Sequence, residues 1–576
     1  MRSIITGLLF LAFSGLAFSQ EMKTSFSDKM KLTQKKTGFL DEVIGETERY
    51  IFVDYKTYNK RGRLWLERIG VIDKESMKEV NSIKIVDPKD KVRSAEIGDR
   101  VKVYERFVGD KIFVFYKEET KLDVKMFAEC YSVSLDRIIG MKELVSFPKD
   151  SKREFVFPAV SINENEILVS RFDNKDNAID FIYKVFDLDL NQVIDNTVTL
   201  PNPDGAEDGN VFSVNDFNFS KTGMVYFHQS LSIRSGKKRN SLFMRADAVK
   251  LEYYLTMLNL ETGDLNMLDQ NVPNKSMYNV RLVEENNQVN LVGFFCDFEK
   301  DPDGLRTHGF FFQKVDEKTL TATEPTYSYF AQKLLDELFK EDTEDKLKTA
   351  SKKKNKEENQ ERDKDALSRA FRIEKVRTDA NGNLILFCSK MFNYSYQVCS
   401  TNSNGGTTCR TVYVCEKGNV TVFKITSEGE FVWSSNLDRY KSYSGWNIYD
   451  LEVIEDDDNY YVSFGNSKTE VTEGKKKSKK EVIGYFEYGI FNKSTGDVSR
   501  DKIVINEQGA PKSEKKYISA KDVRVYNNQF YLVSSITKPA NWIYFTCVCP
   551  PAFVISLLTK ASSFQEVYIG RIQLDN

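Results

Sequence analysis

Only two histidines are available for acid–base chemistry, His228 and His308. A hydrolase of the Ser-His-Asp or Cys-His type uses one histidine as its general base, so either residue could serve. Neither lies beside a recognisable nucleophile, and each lies on or next to a predicted strand, which favours a structural role. The chain also lacks Gly-x-Ser-x-Gly, His-Glu-x-x-His, a phosphate-binding glycine loop and a dinucleotide fingerprint. The sequence therefore identifies no catalytic residue, although a carboxylate pair for glycoside cleavage needs no local spacing.

Clusters of carboxylates suggest a calcium site as an alternative to ordinary turns. Calcium is bound by several oxygen ligands at defined positions, and no cluster matches the Asp-x-Asp-x-Asp-Gly loop. Turns are the favoured interpretation, and we predict neither a metal nor another cofactor. The clusters are Asp301 with Asp303, Asp204 with Glu207 and Asp208, and residues 455–458.

The cysteines suggest a structural bond. The chain has eight, and Cys399 and Cys409 flank an Asn-Gly-Gly turn that would bring them opposite each other. We therefore predict a disulfide between them. A metal site that adds Cys415 to this pair is the weaker alternative, because no Cys-x-x-Cys spacing occurs. Three further cysteines lie within strand patterns and are expected to be buried apolar residues: Cys130, Cys296 and Cys388.

The elements that must position these residues follow one repeated pattern. A turn rich in Asn, Asp, Glu or Gly precedes a short aromatic and β-branched strand, and a second strand that ends in a polar turn accompanies it. The high aromatic content, with 41 Phe and 28 Tyr, suits half-buried strands. The pattern occurs eight times, at residues 50–53, 111–115, 166–169, 224–227, 289–292, 384–387, 460–464 and 530–533.

Four antiparallel strands per repeat predict an all-β fold, a β-propeller with eight four-stranded blades and one helical, charged insertion. A single sheet of this kind cannot bury both of its faces, whereas blades packed around an axis bury them and leave only short edges. Seven blades, or a propeller with a small sandwich, are the alternatives. Residues 564–570 are expected to supply a strand that closes the last unit against the N-terminal one.

The N-terminus has the pattern of an export signal. Arg2 precedes an apolar run at residues 4–18, and small residues follow at a cleavage site before Gln20. The run is shorter than the ~20 residues that a membrane span needs, so an uncleaved anchor is the weaker alternative. The predicted organisation is a signal peptide at 1–19, a lead-in at 20–45 and a propeller at 46–576, without a transmembrane span.

The long connections of the predicted blades are expected to lie on one face. If the strands of a blade are named a to d, the b–c and d–a connections share a face of the propeller, and binding loops commonly gather on one face. Tolerated surface decoration is the alternative, because loop length costs little closure entropy. The connections are 232–249, 398–411, 467–481 and 537–551 between strands b and c, and 331–370 between strands d and a.

The insertion at 331–370 begins with apolar residues at helical spacing and continues as a run of charges. The charged part buries too little apolar surface to fold alone. A helix packed on its own propeller is the favoured interpretation, and a partner-binding helix is the alternative. The candidate partner-binding residues are Leu334, Leu335, Leu338 and Phe339.

The charge distribution argues against some partners. The formal net charge is −2, so no overall field favours nucleic acid or anionic lipid. The lysine clusters are interleaved with acids and lack aromatic stacking platforms, which argues further against nucleic acid. A protein or a glycan is the expected partner.

Two segments resemble the blade signature of uncharacterised secreted β-propeller-like proteins of Bacteroidota. One is Gly-Glu-Phe-Val-Trp at 429–433 with the strand 420–425 before it, and the other is Ala-Asn-Gly-Asn-Leu-Ile-Leu at 380–386. The resemblance covers the C-terminal third and implies an exported protein without an established activity. Many such proteins carry a C-terminal sorting domain that is not apparent in this sequence, so the resemblance favours the periplasm over release.

Together these features predict an exported, non-catalytic β-propeller that binds a protein or glycan through its b–c and d–a connections. A fold does not decide a function. The alternatives are a hydrolase or lyase with a site at the channel mouth, and a structural subunit of an outer-membrane or other cell-envelope complex. The sequence favours a binding protein over an enzyme.

Overall fold

The computed structural model of the chain is nearly all β, and α1 (Lys91–Ile97) is the one helix with defined bounds in the part that it describes. The described residues are 22–33, 39–58, 64–87, 89–149, 159–175, 178–203, 211–233, 250–272, 274–285, 288–300, 306–332, 334–335, 367–368, 371–401, 407–439, 441–444, 451–463, 485–505, 518–538 and 564–574.

Strands in the first half of the chain form meanders, in which neighbours in sequence are neighbours in the sheet. The chain starts with β1 (Met22–Phe26) and β2 (Met30–Thr33), which belong to the last blade. Blade 1 is β3 (Phe39–Glu46), β4 (Tyr50–Tyr58), β5 (Leu64–Asp73) and β6 (Lys78–Val86). Blade 2 is β7 (Val101–Val108), β8 (Lys111–Glu119), β9 (Asp123–Ser132) and β10 (Arg137–Pro148). Blade 3 is β11 (Ala159–Ile162), β12 (Glu166–Lys175), β13 (Ala178–Asp187) and β14 (Gln192–Leu200).

The same order continues through the rest of the chain. Blade 4 is β15 (Val211–Phe219), β16 (Met224–Ile233), β17 (Lys250–Asn259) and β18 (Leu265–Asp269). Blade 5 is β19 (Lys275–Glu285), β20 (Gln288–Asp297), β22 (Gly309–Asp316) and β23 (Thr321–Ala322), with β24 (Thr326–Tyr329) beside β22. A separate two-stranded sheet joins β21 (Arg306–Thr307) to β25 (Leu367–Ser368). Blade 6 is β26 (Phe371–Thr378), β27 (Leu384–Thr401), β28 (Thr407–Ile425) and β29 (Phe431–Leu437), with β30 (Lys441–Ser444) beside β28. Blade 7 is β31 (Glu452–Glu455), β32 (Asn459–Ser463), β33 (Tyr485–Asn492) and β34 (Val498–Val504), and blade 8 takes β35 (Ile518–Tyr526), β36 (Gln529–Lys538) and β37 (Phe564–Leu574) from the C-terminal region.

Blade 8 is completed by the N-terminal region of the chain. Strand β1 pairs antiparallel with β37, from Met22 opposite Leu574 to Phe26 opposite Gly570, and β2 pairs with the start of β37. Gly570 makes room for this strand, because a Cβ atom there would lie 2.4 Å from the Phe26 ring. The region assigned from sequence as a lead-in thus supplies two strands of the last blade and, with β3, the first strand of blade 1.

The blades belong to two compact units. Blades 1, 7 and 8 lie in a unit formed by Met1–Ser94, Asp450–Ser494 and Ser499–Asn576, and blades 2 to 6 lie in a unit formed by Ala95–Tyr449 and Thr495–Val498. In the first unit, core clusters lie between blades 7 and 8 and between blades 8 and 1. In the second, they lie between each consecutive pair from blade 2 to blade 6.

Burial within a blade explains the repeated sequence pattern. The second strand is apolar on both faces, as in β16, because a neighbouring blade covers each face. Val225 and Phe227 pack in the core shared with blade 3, and Met224 and Tyr226 pack in the core shared with blade 5. The fourth strand is exposed along most of its length, as in β6. All eight apolar segments predicted from sequence are the second strands of blades, so the predicted eight-bladed β-propeller is confirmed.

Several sequence predictions fall outside the described residues. They include the signal peptide at 1–19, Leu338 and Phe339, the clusters at 204–208 and 301–303, and most of the long connections. Cys130, Cys296 and Cys388 are buried, as expected for apolar strand residues, and so is Cys415.

Candidate functional site

An extended hairpin leaves the sheet of blade 6. Strands β27 and β28 are 18 and 19 residues long, but β26 accompanies β27 only as far as Lys390 and β29 accompanies β28 only from Val420 onward. We call residues 391–401 and 407–417 the blade 6 arm. Of the loop predicted at 398–411, the described residues 398–401 and 407–411 belong to the paired strands of this arm.

The arm is closed near its tip by a disulfide between Cys399 and Cys409, the pair chosen from the sequence. The two residues lie directly opposite each other in the ladder, with their Cα atoms 4.0 Å apart. So short a separation is typical of a non-hydrogen-bonded antiparallel pair, in which the backbone N–H and C=O of both residues point away from the partner strand. The register is uniform from Met391 to Thr401, so Ser395 and Gln397 also direct these groups away from β28.

The outer edge of β27 is therefore a row of backbone donors and acceptors. Among the described strands, β28 is the only one that pairs with residues 391–401, while β30 covers β28 at residues 414–417. Unpaired strand edges are ready positions for an added strand. The edge consists of the outward backbone N–H and C=O groups of Ser395, Gln397 and Cys399.

One face of the arm is aromatic. Phe392, Tyr394, Tyr396 and Val398 alternate along β27 and are 39–49% exposed. The Tyr394 and Tyr396 rings are stacked with their centroids 6.4 Å apart, and the Tyr394 hydroxyl donates to Glu416 Oε1 at 2.8 Å. Tyr413 is exposed on the opposite face of the arm, because its cross-strand partner is Ser395. Large exposed side chains in a row mark an interaction surface.

The base of the arm is fixed by a buried ion pair. Lys417 Nζ lies 2.5 Å from Glu374 Oε1, and both side chains are fully buried. The Ser389 hydroxyl also donates to this carboxylate, and the β27–β28 register shifts between Ser389 and Met391, where the arm begins. Such irregularities redirect a strand, so the pair and the shift together set the direction of the arm.

A second candidate site is a cavity of about 200 Å³ between blades 4 and 5. Blade 4 contributes His228, Tyr253 and Gln270 to the lining of the cavity, and blade 5 contributes Leu291 and Phe311. Blades 4 and 5 share a core cluster, so the cavity interrupts an otherwise packed contact.

A bulge in β19 shapes the wall on the side of blade 5. The register shifts between Tyr278 and Arg281, and Asn279 has a positive φ of 51°. Gly293 lies across from this bulge, and a Cβ atom there would lie 2.5 Å from the Phe311 ring. Bulges and positive φ values in non-glycine residues concentrate at functional sites.

The two histidines have different surroundings. His308 is buried, and its Nδ1 accepts a hydrogen bond from the Asp297 backbone N–H at 3.0 Å. Tyr329 donates to Asp297 Oδ2 at 2.6 Å. Burial raises the pKa of Asp297, but the hydrogen bonds from Tyr329 and from the Glu299 N–H outweigh it and hold that pKa below its ordinary value. This arrangement matches the structural role expected for His308.

His228 is half-buried and lines the cavity, with its Nε2 3.0 Å from Asn218 Nδ2. Sequence analysis predicted a structural role for it and gave no signal for the cavity. The same analysis missed Gln270, which lies after the short strand β18 in a segment without any motif. The aromatic face of the arm had a visible signal, the alternation of residues 392, 394, 396 and 398.

The partner-binding hypothesis for Leu334 and Leu335 needs correction. Both side chains are buried, at 3% and 2% exposure, in the core between blades 5 and 6. Their backbone N–H groups donate to the Ala331 carbonyl, as in a first helical turn. Leu334 and Leu335 therefore pack against their own blades, which was the favoured interpretation, and are not exposed for docking, whereas Leu338 and Phe339 lie outside the described residues.

The acidic segment at 455–458 is a turn. Asp456 Oδ1 accepts from the backbone N–H groups of Asp458 and Asn459, at 2.9 and 2.6 Å, and Asp456 Oδ2 accepts from the Tyr461 hydroxyl. Lys493 forms an ion pair with Glu455. These contacts match the turn interpretation of this cluster.

Comparisons with known proteins add a likeness in structure only. No protein-family model and no curated protein matches the chain. The propeller domain of the Trilobed protease from Pyrococcus furiosus is 9% identical over 84% of this chain and 99% of its own, with a TM-score of 0.29. The Pyrococcus horikoshii acylaminoacyl peptidase is 8% identical over 87% of this chain and 59% of its own, with a TM-score of 0.31. A Bombyx mori GH32 β-fructofuranosidase is 10% identical over 83% of this chain and 89% of its own, with a TM-score of 0.24.

Likenesses at this level transfer neither an activity nor a ligand to this chain. The class of the protein, an eight-bladed β-propeller, follows from its own sheet topology. Within the described ranges, no helix has the length and apolar character that crossing a membrane requires.

Proposed function

We propose that this chain is an exported, non-catalytic β-propeller that binds a protein partner, and that the partner adds a strand to the edge of the blade 6 arm. The observation that carries the proposal is the combination on one strand of an open edge and a row of exposed aromatic side chains. Strand addition draws affinity from backbone hydrogen bonds and specificity from alternate side chains. Tyrosine is also among the residue types enriched at the centres of protein interfaces.

The open edge favours a protein over a glycan. Stacked rings such as Tyr394 and Tyr396 would suit either partner, but backbone groups at strand spacing are complementary to another extended polypeptide. The arm is also held in place before binding, by the disulfide at its tip and the buried ion pair at its base. A preformed site loses less conformational entropy on binding.

Export supports the same proposal. Disulfides persist in oxidising compartments such as the periplasm and the cell exterior, so the Cys399–Cys409 bond supports an exported location. The N-terminal signal pattern points to the same compartment. The partner is accordingly sought among envelope and extracellular proteins.

Photo-crosslinking tests the proposal with the full-length protein. The photoreactive residue p-benzoylphenylalanine replaces Gln397 at the edge, the protein is irradiated in an envelope extract, and the captured protein is identified and purified. Its dissociation constant is then measured for the wild type, Ser395→Pro and Ser395→Ala. Proline removes the outward N–H without touching the hydrogen bonds to β28, so we expect binding at least about tenfold weaker with proline and nearly unchanged with alanine.

A second pair of variants tests the aromatic face. Tyr396→Ala is expected to weaken binding by about tenfold or more, as for an interface anchor, whereas Tyr413→Ala on the opposite face serves as the matched control. Binding that survives Ser395→Pro would contradict strand addition. Capture of a glycan that depends on Tyr396 and not on the edge would contradict a protein partner. A dimer of this chain that Ser395→Pro dissociates would show that the added strand comes from a second copy of the chain and not from another protein.

A further inference from the structure

The cavity between blades 4 and 5 contains a polar group whose hydrogen bonds the protein does not supply. Gln270 is 7% exposed, and within the described part of the chain neither its amide nitrogen nor its amide oxygen has a hydrogen-bond partner. Leu268, two residues earlier in the chain, packs in the core between the same two blades. Gln270 is one of the lining residues of the cavity, and because alternate residues share a face, its side chain lies on the same side as Leu268. A buried polar atom without a partner costs about 1–3 kcal/mol.

One part of the cavity wall suits an apolar, uncharged body. Its apolar lining residues are Leu255, Met277, Val280, Leu291 and Phe311, beside polar ones that include Tyr253 and Asn279. No Asp, Glu or Lys is among its lining residues in the described ranges. The one guanidinium, that of Arg281, donates to the Ile373 carbonyl in blade 6 at 3.2 Å.

The size of the cavity limits the ligand to about one ring. An apolar cavity of about 150 Å³ accepts benzene, and this cavity is about 200 Å³. The additional space matches a small polar substituent. The Gln270 amide offers both donors and an acceptor, so it can form two parallel hydrogen bonds with a group that has an adjacent donor and acceptor.

We propose that this cavity binds a small uncharged molecule in which a carboxamide, or a similar adjacent donor and acceptor, is attached to an apolar ring. The polar group pairs with Gln270, and the ring lies between Leu255 and Phe311. This site goes beyond the proposed partner binding, since it lies in blades 4 and 5 and uses no residue of the arm.

The test measures binding of benzamide, toluene and benzoate to the full-length protein by ligand-observed NMR and calorimetry. Gln270→Leu removes the amide at similar volume. Asn290→Leu is the matched control, because Asn290 is a buried amide of blade 5, 7% exposed, that is not among the lining residues of the cavity. Its side chain lies on the other face of β20 from Leu291, which does line the cavity.

We expect benzamide to bind the wild type more tightly than toluene or benzoate. Gln270→Leu should weaken benzamide binding about tenfold and strengthen toluene binding, because one hydrogen-bonded group is exchanged for an apolar one. Asn290→Leu should leave both affinities unchanged. Absence of benzamide binding at millimolar concentration, equal affinity for toluene and benzamide, or loss of binding in the Asn290→Leu control would overturn the proposal.

Discussion

Replacement of Lys417 by methionine is the most informative perturbation of the arm. Methionine retains most of the length and apolar surface of the lysine side chain and removes only its charge and donors. In the folded protein, Lys417 and Glu374 are both fully buried and form an ion pair at the base of the arm. The variant therefore leaves a buried carboxylate without the lysine that compensates its charge.

The loss of stability follows from the negative charge that Glu374 retains without its lysine. Removing one partner of a buried ion pair costs about 3–5 kcal/mol when the remaining group stays charged. We therefore expect Lys417→Met to lower the opening free energy of blade 6 by about 3–5 kcal/mol at pH 7.

Hydrogen exchange read by mass spectrometry resolves this effect locally. Peptides from β26, β27 and β28 should exchange faster in the variant at pH 7, after correction for intrinsic rates, while peptides of blade 3 serve as the internal control. The double variant Glu374→Leu/Lys417→Met should recover most of the loss, because an apolar pair replaces the ion pair. A loss below about 1 kcal/mol at pH 7, or a double variant that recovers none of the loss, would refute this reasoning.

Three further predictions concern other parts of the chain. Gly309→Ala should lower the unfolding free energy by about 3 kcal/mol, because the added Cβ would lie 2.0 Å from a backbone carbonyl oxygen. Gly140→Ala should change this free energy little, because the atom nearest to its added Cβ lies 3.7 Å away. Asp297→Asn should lower the melting temperature more at pH 7 than at pH 3, because a carboxyl whose folded pKa is lowered stabilises above its unfolded pKa and loses that contribution as the pH falls through the folded value. Cys399→Ser/Cys409→Ser should lower the local opening free energy of the arm by about 2–3 kcal/mol. Hydrogen exchange of the arm should be faster in this variant, and exchange of blade 3 should not change.

The blades could be predicted because their information is local. A segment such as β8 is apolar on both faces and follows a polar turn. Both features can be recognised from fewer than ten consecutive residues. The disulfide was predictable for the same reason, since a Gly-containing turn separates Cys399 from Cys409. The apolar spacing of Leu334 and Leu335 was equally visible, but the sequence did not say which surface would cover them.

The sequence by itself determined the number and order of the repeated units and the position of the closed hairpin. Only the tertiary structure decided that β1 pairs with β37, that β27 continues beyond its blade with an open edge, and that Gln270 faces a cavity walled by Leu291 and Phe311. Strand formation and turns depend on neighbours along the chain, whereas an edge, a cavity and a pairing between distant strands depend on which surfaces meet. That choice is made by packing between blades, and no local pattern encodes it.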